Sequence, residues 1–450
     1  MAYLPNTEDD RRAMLAAVGV GSARELFDTI PSQLLDPATD LPPPLSEQEL
    51  VADVSALAAE NRPLSAWDSF LGAGIYRRFS PAIVHGTISR PEFSTAYTPY
   101  QAEASQGTLQ TIFEFQTMIA ALTALDVANA SLYDGATAAA EAMLLAVAQT
   151  GRSRVAVSAA VHPETVRVIE TYAKGRGVHV DIVELIDGLT TAVSLDDRHA
   201  ALLVAQPNFL GNVETLDPLA AAAHRVGAIA VASVDPIACT VLAPPGDAGF
   251  DVAIGEGQPL GLPASFGGPH VGFMAVRQAL VRRMPGRLVG MTVDHAGARA
   301  YTLTLQTREQ HIRREKATSN ICTNHALMAL AATVYMAHMG AGGMAAVAEV
   351  SAQRAHVLAE KLAALEGFTL AAPETPFLWE FAIDCPGNAE TVVTALRAAG
   401  IIAGLPLGRV DPRRTGQLLV CCTEMTDPAA IDRYVDAVRP LARNPARAHG

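Results

Sequence analysis

The chain has 450 residues, half of them hydrophobic and 18% charged. This excludes a mainly disordered protein and suits two or three domains, or one large α/β unit with an appended lobe. The 33 basic and 46 acidic residues give a net charge of -13, whereas a nucleic-acid-binding protein usually carries excess positive charge. This charge predicts no nucleic-acid partner. The five cysteines are an odd number without a CxxC pair, which predicts a reduced, cytoplasmic setting.

The first 70 residues are predicted to form a helical N-terminal arm. Thr7 stands before three acidic residues, an arrangement typical of a helix start. Ser46 and Glu49 have the spacing of a capping box. A proline-rich segment, residues 40–45, separates the two helices. We expect this arm to lie outside the catalytic core.

Residues 71–325 are predicted to form a large α/β domain. Apolar residues at helical spacing predict a helix over residues 108–124 and another that begins near Thr137. Predicted strands follow over residues 154–159, 178–185, 201–205, 228–233, 251–254 and 271–276. Helical segments, such as residues 162–175 and 218–226, separate several of them. Alternation of this kind predicts a mostly parallel sheet with helices on both faces.

Residues 326–450 are predicted to form a smaller C-terminal α+β domain. Its elements are a helix from Ala326, strands over residues 375–383 and 417–422, and helices over residues 388–399 and 428–441. The stretch 326–348 contains no charged residue and is long enough to raise the question of a membrane span. A glycine turn at residues 340–343 favours a buried helix that ends there, and no membrane association.

Signatures of common cofactor and metal sites are missing. Neither Gly72-Ala-Gly74 nor Gly340-Ala-Gly342-Gly343 completes a GxGxxG motif after a strand. The sequence also contains no P-loop motif and no HExxH motif. We therefore predict no dinucleotide, P-loop or metal site.

Two segments are dense in residues of functional type. Residues 97–107 contain two tyrosines, a threonine and two glutamines before a long helix; their composition fits a ligand-binding loop and a structural loop equally well. Between Arg277 and Lys316 stand nine basic and three acidic residues, a local net charge of +6. This basic island favours an anion site or a docking face for an acidic partner. The alternative is a solvated helix face with intrahelical pairs such as Glu309–Arg313.

The chain has only three lysines: Lys174, Lys316 and Lys361. In fold-type-I pyridoxal phosphate (PLP) enzymes, one strand end carries an Asp for the pyridine nitrogen and a later one carries the Schiff-base lysine. Asp235 fits the first position, but Gln258 occupies the place of the lysine and cannot form an imine. Asp235 is therefore interpreted as vestigial. An autonomous PLP enzyme that uses Lys316 remains a competing interpretation.

Several motifs resemble the glycine cleavage system P protein, in particular the N-terminal half that forms a separate subunit 1 in many bacteria. The matching motifs are YTPYQ (97–101), SQG (105–107), ANASL (128–132), TAAAE (137–141), FGGPH (266–270), MPGRLVG (284–290) and QTREQHIRR (306–314) through KATSNIC (316–322). The resemblance covers nearly the whole chain. Two departures are Thr108 in place of an arginine, and Tyr133-Asp-Gly135 in place of Leu-Asp-Glu.

The resemblance implies an aminotransferase-like fold without the cofactor lysine. The partner, subunit 2, would carry PLP and form a heterodimer that doubles into a tetramer. Together they would decarboxylate glycine and pass the aminomethyl group to the lipoyl arm of H protein. The alternative is a structural or regulatory subunit that stabilises the PLP-bearing partner without contributing to catalysis.

Under this resemblance, three sets of residues are predicted to serve the shared site. Tyr97, Thr98 and Tyr100 would close one wall of the partner's active site. Ser319, Asn320 and Thr323 would form hydrogen bonds at the same mouth. Arg308, Arg313 and Arg314 would attract carboxylates of glycine or of the carrier. For Arg313 and Arg314, an intersubunit ion pair is the competing interpretation.

Overall fold

The computed structural model describes residues 5–191 and 193–442. The chain divides into two compact units, one ending at Pro63 and the other beginning at Leu64. The arm predicted over residues 1–70 stays a prediction; within it, Asp68 and Ser69 pair in parallel with Ile401 and Ile402 of the second unit. The predicted domain boundary at residue 325 stays a prediction, since the second unit is not subdivided.

Helices and strands alternate through most of the second unit. The α-helices are α1 (Glu8–Val18), α2 (Glu47–Ala59), α3 (Ala82–Ile88), α4 (Pro91–Ser94), α5 (Gln106–Thr123), α6 (Gly135–Thr150), α7 (Pro163–Arg176), α8 (Leu216–Arg225), α9 (Gln310–Arg313), α10 (Ala326–Ala363), α11 (Ala389–Ala398) and α12 (Pro428–Val438). The strands are β1 (Asp68–Ser69), β2 (Val127–Ala128), β3 (Arg154–Ser158), β4 (His179–Val183), β5 (His199–Gln206), β6 (Ile229–Val234), β7 (Val252–Glu256), β8 (Gly272–Val276), β9 (Val289–Val293), β10 (Arg299–Leu303), β11 (Thr369–Leu370), β12 (Glu380–Asp384), β13 (Ile401–Ile402), β14 (Leu405–Pro406) and β15 (Gln417–Cys421).

Both helices of the first unit begin at the predicted caps. The Thr7 hydroxyl accepts a hydrogen bond from the Asp10 N–H, and the Asp10 carboxylate accepts one from the Thr7 N–H. Ser46 and Glu49 exchange the same pair of bonds. The predicted helix start at Thr7 and the predicted capping box at Ser46 are therefore confirmed, and Thr7 forms a capping box as well.

A seven-stranded sheet in the order β2-β8-β7-β6-β5-β3-β4 forms the centre of the second unit. Strands β3 to β7 run parallel, whereas β8 is antiparallel to both neighbours. Strand β5 is buried along its whole length. Leu202 and Val204 pack with helices α5, α8 and α10, while Leu203 and Ala205 pack with α6 and α7 on the other face. The mostly parallel, two-sided sheet predicted from the sequence is confirmed.

Helix α10 is longer than predicted. It does not end at the glycine turn but continues to Ala363, with a break at Gly340, where φ is 61° and ψ is 178°. Glycine tolerates this conformation because it lacks a Cβ, so the helix resumes after the break. By length and composition alone α10 passes as a membrane span, but 44% of its most apolar window is buried inside the protein.

A four-stranded antiparallel sheet, β11-β12-β15-β14, lies towards the C-terminus. Alternate residues of β15, Leu418 and Val420, pack with α11, α12 and the second half of α10. The strand predicted over residues 375–383 is shorter than expected, because β12 begins only at Glu380. The preceding residues bond elsewhere: the Pro376 carbonyl accepts from the Val213 N–H, and Phe377 bridges to Asn212.

Candidate functional site

A cavity of about 460 Å³ opens where parallel strands of the large sheet end. Residues that follow β3, β5, β6 and β7 line it, together with the segment 73–76. The carboxyl ends of parallel strands are the usual ligand position in open α/β sheets. This cavity therefore occupies the place where the fold would hold a cofactor.

Gln258 follows strand β7, at the predicted place of the lysine, and is completely buried. Its Oε1 accepts from the Tyr76 N–H at 2.9 Å. Its Nε2 donates to the carbonyls of Tyr76 and Leu262, at 2.9 and 2.7 Å. The amide therefore ties the segment around Tyr76 to the end of β7, and a lysine could not accept from the Tyr76 N–H.

Asp235 directly follows strand β6 and lines the cavity. Its Oδ1 accepts from the N–H groups of Ile237 and Ala238, at 2.7 and 3.2 Å. Burial raises the pKa of Asp235, and nearby Arg78 opposes that rise. The carboxylate has the predicted position and also stabilises the turn after β6.

Two further carboxyl groups reach the cavity. Glu380 accepts from the Ala73 N–H at 2.6 Å and from the Tyr76 hydroxyl at 2.9 Å. Glu256 accepts from three backbone N–H groups, those of Gly135, Gln258 and Val271. Burial raises the pKa of each of these glutamates to about 7.

The histidines of the cavity are polar but not basic. Burial lowers the pKa of both His162 and His270. The His162 Nε2 lies 3.0 Å from the Ala73 carbonyl, whereas the His270 Nε2 has no hydrogen-bond partner among the described residues. Both rings therefore favour the neutral form at neutral pH.

The residues of this cavity do not fit PLP. Among the described residues, the cavity lining contains no lysine or arginine but has five acidic residues: Asp134, Glu164, Asp235, Glu256 and Glu380. A phosphate-bearing cofactor would meet negative charge on several sides, and Gln258 offers no amine. Lys316, the competing candidate, is exposed in the segment after α9 and does not line the cavity.

A second polar cluster joins the two segments that the sequence singled out. Arg287 is 2% exposed, and its Nη1 donates to the Thr98 hydroxyl at 3.3 Å. Its guanidinium carbon lies 5.5 Å from the centre of the Tyr100 ring. Its Nε lies 3.8 Å from Oε2 of Glu309, which is also buried. Arg287 thus connects the 97–101 loop to the basic segment.

This cluster is incompletely bonded. The Nε and Nη2 atoms of Arg287 and the Oε1 atom of Glu309 are buried without a hydrogen-bond partner in the described part of the chain. The Nδ1 of His311 lies 3.4 Å from the second Glu309 oxygen. Buried polar groups normally have hydrogen-bond partners. These unpaired atoms therefore mark a place where the described residues do not supply all the partners that the cluster needs.

The 97–101 loop presents aromatic side chains to solvent. Tyr97 and Tyr100 are exposed, by 79% and 57%, whereas Thr98 is half-buried. Just beyond the loop, Gln106 exchanges two 2.9 Å hydrogen bonds with the backbone of Tyr301 in β10. The tyrosines therefore project from a loop whose C-terminal end is anchored to a hairpin.

The predicted residues at 319–323 differ in exposure. Ser319 is buried, and its hydroxyl accepts from the Ile321 N–H at 3.0 Å. Burial raises the pKa of Glu141, and a hydrogen bond with Ser319 opposes that rise. Asn320 is exposed and Thr323 is half-buried. Of the three, Asn320 is the most accessible to a second molecule.

The three predicted arginines also divide into two groups. The guanidinium of Arg308 donates to the carbonyls of Leu305, Met284 and Gly286, so it is already occupied in holding neighbouring loops together. Arg313 and Arg314 are exposed at the end of α9. The predicted pair Glu309–Arg313 is replaced by contacts of Glu309 with Arg287 and His311.

Sequence reasoning missed Arg287, Glu309, Glu256 and Glu380. Arg287 stands inside the MPGRLVG motif, and Glu256 stands two residues before Gln258. Both residues stand in segments that the sequence analysis examined. Their contact partners lie far away in the sequence, so no spacing pattern could predict those contacts. Within residues 5–191 and 193–442, no group of three or more His, Cys, Asp or Glu residues is placed to hold a metal ion.

Solved structures confirm the predicted fold class. A sphingosine-1-phosphate lyase from Burkholderia pseudomallei has a TM-score of 0.65 at 15% identity, covering 93% of this chain and 96% of that one. A C-DES mutant with glycine covalently linked to its PLP cofactor has a TM-score of 0.60 at 15% identity, covering 84% and 98%. At this identity the likeness shows the fold alone, the fold-type-I PLP-dependent architecture.

More similar proteins identify the family. The family model for the glycine cleavage system P-protein matches residues 1–437. A probable glycine dehydrogenase (decarboxylating) subunit 1 from Thermomicrobium roseum is 48% identical over 445 residues, 98% of this chain and 99% of the relative. A crystal structure of glycine decarboxylase (P-protein) in inhibitor-bound form has a TM-score of 0.90 at 44% identity, covering 98% of this chain and all of that one. The resemblance predicted from the motifs is confirmed, and the chain belongs to the glycine cleavage system P-protein family.

Proposed function

We propose that this chain is the first subunit of a two-subunit glycine dehydrogenase (decarboxylating) and works with a partner that carries PLP. The observation that carries the proposal is Gln258, which stands fully hydrogen-bonded in the place of the lysine. The relatives at 46–48% identity are named subunit 1, a name that implies a second subunit. The chain is thus an enzyme subunit whose cofactor lies elsewhere.

The proposed reaction removes CO2 from glycine and transfers the aminomethyl group to the lipoyl arm of H protein. In the partner, PLP would take up the electron pair that is left when the C–C bond breaks. This chain would supply part of the wall that keeps water away from that site. Tyr97, Thr98 and Tyr100 are proposed for this wall, because their loop presents two exposed aromatic rings.

The turn that carries Phe266 has the properties of a partner-binding surface. Phe266 is fully exposed at φ 56°, in the left-handed region that side chains rarely adopt. A bulky apolar residue held on a strained turn is costly in water, and contact with a second chain would offset part of that cost. We propose that the PLP-bearing subunit covers this turn, and that two such pairs form the heterotetramer.

Arg313 and Arg314 are proposed as the carboxylate-facing residues. Both are exposed in the basic island, so they are available to glycine, to acidic residues of H protein or to the partner subunit. Arg308 would act by positioning, because its donors hold the 284–286 carbonyls. Asn320 would be the hydrogen-bonding residue at the mouth, with Ser319 and Thr323 supporting its loop.

The test compares turnover with assembly in the complex of this chain and its partner. We expect Tyr100→Phe, Asn320→Ala and Arg313→Ala each to lower kcat/KM for glycine roughly tenfold, the loss for about 1.4 kcal/mol of transition-state stabilisation. Tyr172→Phe on α7 and Arg413→Ala beyond α11 are matched controls that should leave kcat/KM unchanged. Size-exclusion chromatography should show the same assembled complex for every variant.

A purely structural subunit is the second candidate, and the cavity favours it, because its described lining offers no lysine for a cofactor. That role predicts that loop variants weaken assembly while turnover per assembled complex stays constant. If all three variants kept their kcat/KM in the intact complex, the wall assignment would be wrong and the structural role would be supported.

The cytoplasm is the proposed location. All five cysteines are free thiols, as expected in a reducing compartment. Recovery of this chain with the periplasmic fraction of its host cells would contradict the proposal.

A further inference from the structure

Helix α6 begins at the edge of the cavity, and carboxylates of this chain already occupy its N-terminus. Asp134 Oδ1 accepts from the Thr137 N–H at 2.7 Å, and Glu256 Oε2 accepts from the Gly135 N–H at 3.0 Å. Free N–H groups and the helix dipole make such a terminus a natural phosphate site. Here the carboxylates of Asp134 and Glu256 accept from N–H groups at that site.

Glu256 is held at this position by three separate backbone segments. One oxygen bonds the start of α6, and the other accepts from the Gln258 and Val271 N–H groups at 2.9 and 3.2 Å. Moving the carboxylate away would leave three N–H groups without an acceptor, each at a cost of about 1–3 kcal/mol if buried. The side chain is therefore a fixed part of the helix start.

Gly135 makes this close approach possible. A Cβ atom at residue 135 would lie 2.9 Å from the Glu256 backbone nitrogen and 3.0 Å from its Cβ. Neighbouring backbone cannot yield at such a distance without a shift of β7 or α6. The departure of Gly135 from the pattern expected at this motif thus has a structural reason: it seats Glu256.

We propose that Glu256, seated by Gly135, is the residue that excludes phosphate-bearing cofactors from this chain, and that the loss of the lysine at Gln258 is not sufficient for that exclusion. The Glu256 carboxylate already accepts from the Gly135 N–H, the donor that a phosphate at this helix start would need. This inference rests on the proposed function, in which PLP belongs to the partner.

The test uses the full-length chain and two probes, PLP and phosphate-free pyridoxal. The background variant is Gln258→Lys, whose amine condenses with the probe aldehyde with loss of water. Borohydride then supplies hydride to the C=N bond, and mass spectrometry measures the pyridoxyl label at position 258. We expect little PLP label in this variant and at least a tenfold gain when Glu256→Gln is added.

The gain should be specific to phosphate and to residue 256. Pyridoxal labelling should change less than twofold on adding Glu256→Gln. The matched control adds Glu164→Gln instead, which removes one charge from the same cavity but not from the helix start; it should give no gain. Full PLP labelling of Gln258→Lys alone, equal gains for both probes, or equal gains from both glutamate variants would each overturn the proposal.

Folding of each variant is checked by its urea unfolding midpoint. If Glu256→Gln fails to fold, Glu256→Ala on the same background carries the test with the same expectations. If both fail to fold, the Gln258→Lys chain is titrated with inorganic phosphate as competitor. Phosphate competition against PLP but not against pyridoxal would then show an open phosphate site and overturn the proposal, whereas no competition would support exclusion.

The unmodified chain separates this inference from the proposed function. Stoichiometric PLP labelling of the unmodified chain, at Lys316 for example, would contradict the proposed function itself. An unlabelled natural chain together with no gain from either Glu256 variant would contradict only the role of Glu256.

Discussion

The cavity edge and the Arg287 cluster differ in how completely their polar groups are bonded. The side chains of Glu256, which lines the cavity, and of Gln258, two residues further along the chain, each make three hydrogen bonds within the chain. Around Arg287, two guanidinium nitrogens and one Glu309 oxygen lack partners among the described residues. We therefore infer that the hydrogen-bonded groups at the cavity have a structural role. The unpaired polar groups around Arg287 are available for hydrogen bonds to another molecule. Variants in the two regions should therefore differ in their effects on stability, turnover and partner binding.

The largest effect is expected from Arg287→Met. It would leave the buried Glu309 carboxylate without its cation, and removing one member of a buried ion pair costs about 3–5 kcal/mol. The free energy of unfolding in urea measures the loss. Arg413→Met, on an exposed pair with Asp411, is the control and should change stability by less than about 1 kcal/mol. Equal losses in both variants would contradict a structural role for Arg287.

The next effect is a pH dependence carried by Glu380. Burial raises its pKa to about 7 in the folded chain, whereas an unfolded glutamate titrates near about 4.3. The folded state therefore binds more protons between these values, and stability falls as pH rises through that window, by up to about 4 kcal/mol.

Glu380→Gln should remove this slope, because the amide does not titrate. Unfolding midpoints at pH 5, 6, 7 and 8 measure the difference between the unmodified chain and the variant. Taking the difference removes the contributions of His162, His270 and Glu256, which both proteins share. A difference that stays constant across the series would refute the raised pKa.

A moderate effect is expected from Gln258→Leu. Leucine fills a similar volume but leaves the Tyr76 N–H and two carbonyls without their side-chain partner, at a cost of about 1–3 kcal/mol. Turnover per assembled complex should stay within twofold, because Gln258 has a structural role. A large fall in kcat with unchanged stability would show that Gln258 contributes to catalysis. It would contradict the structural role that we infer for this region.

The smallest effect on the isolated chain is expected from Phe266→Ser. The ring is fully exposed, so stability should change by less than about 0.5 kcal/mol. Binding to the PLP-bearing partner should weaken roughly tenfold, the loss of a modest interface contact. Ile186→Ser, another exposed apolar residue in the loop beyond β4, is the control. Equal affinities of Phe266→Ser and the unmodified chain would place the partner elsewhere.

Much of the fold was predictable because the local spacing of apolar residues indicates helices and strands. The six strands predicted for the large domain are short apolar or β-branched runs between helical segments, and all six are present. The course of α10 was not predictable, since Gly340 resembles a helix end until its backbone angles are known. The late start of β12 was also invisible, because residues 376 and 377 bond to a distant loop.

The site was predictable in its segments but not in its contacts. Composition drew attention to residues 97–107 and to the basic island, and the structure joins them through Arg287. The basic island predicted arginines that are available to an anion, yet the Arg308 guanidinium donates its hydrogen bonds to backbone carbonyls. Glu256 looked like an ordinary strand-end residue, because its partner Gly135 stands on the other side of two helices and four strands in sequence.

The hydrogen bonds of Gln258 also bear on how this chain can evolve. A mutation back to lysine would restore an amine but would at once orphan the Tyr76 N–H and leave Glu256 on the helix start. Independent catalysis would therefore require changes at Gln258, near Tyr76 and at Glu256 together, and no single one of them would be sufficient. If a partner carries PLP, as proposed, this network makes the chain's dependence on that partner hard to reverse by a single mutation.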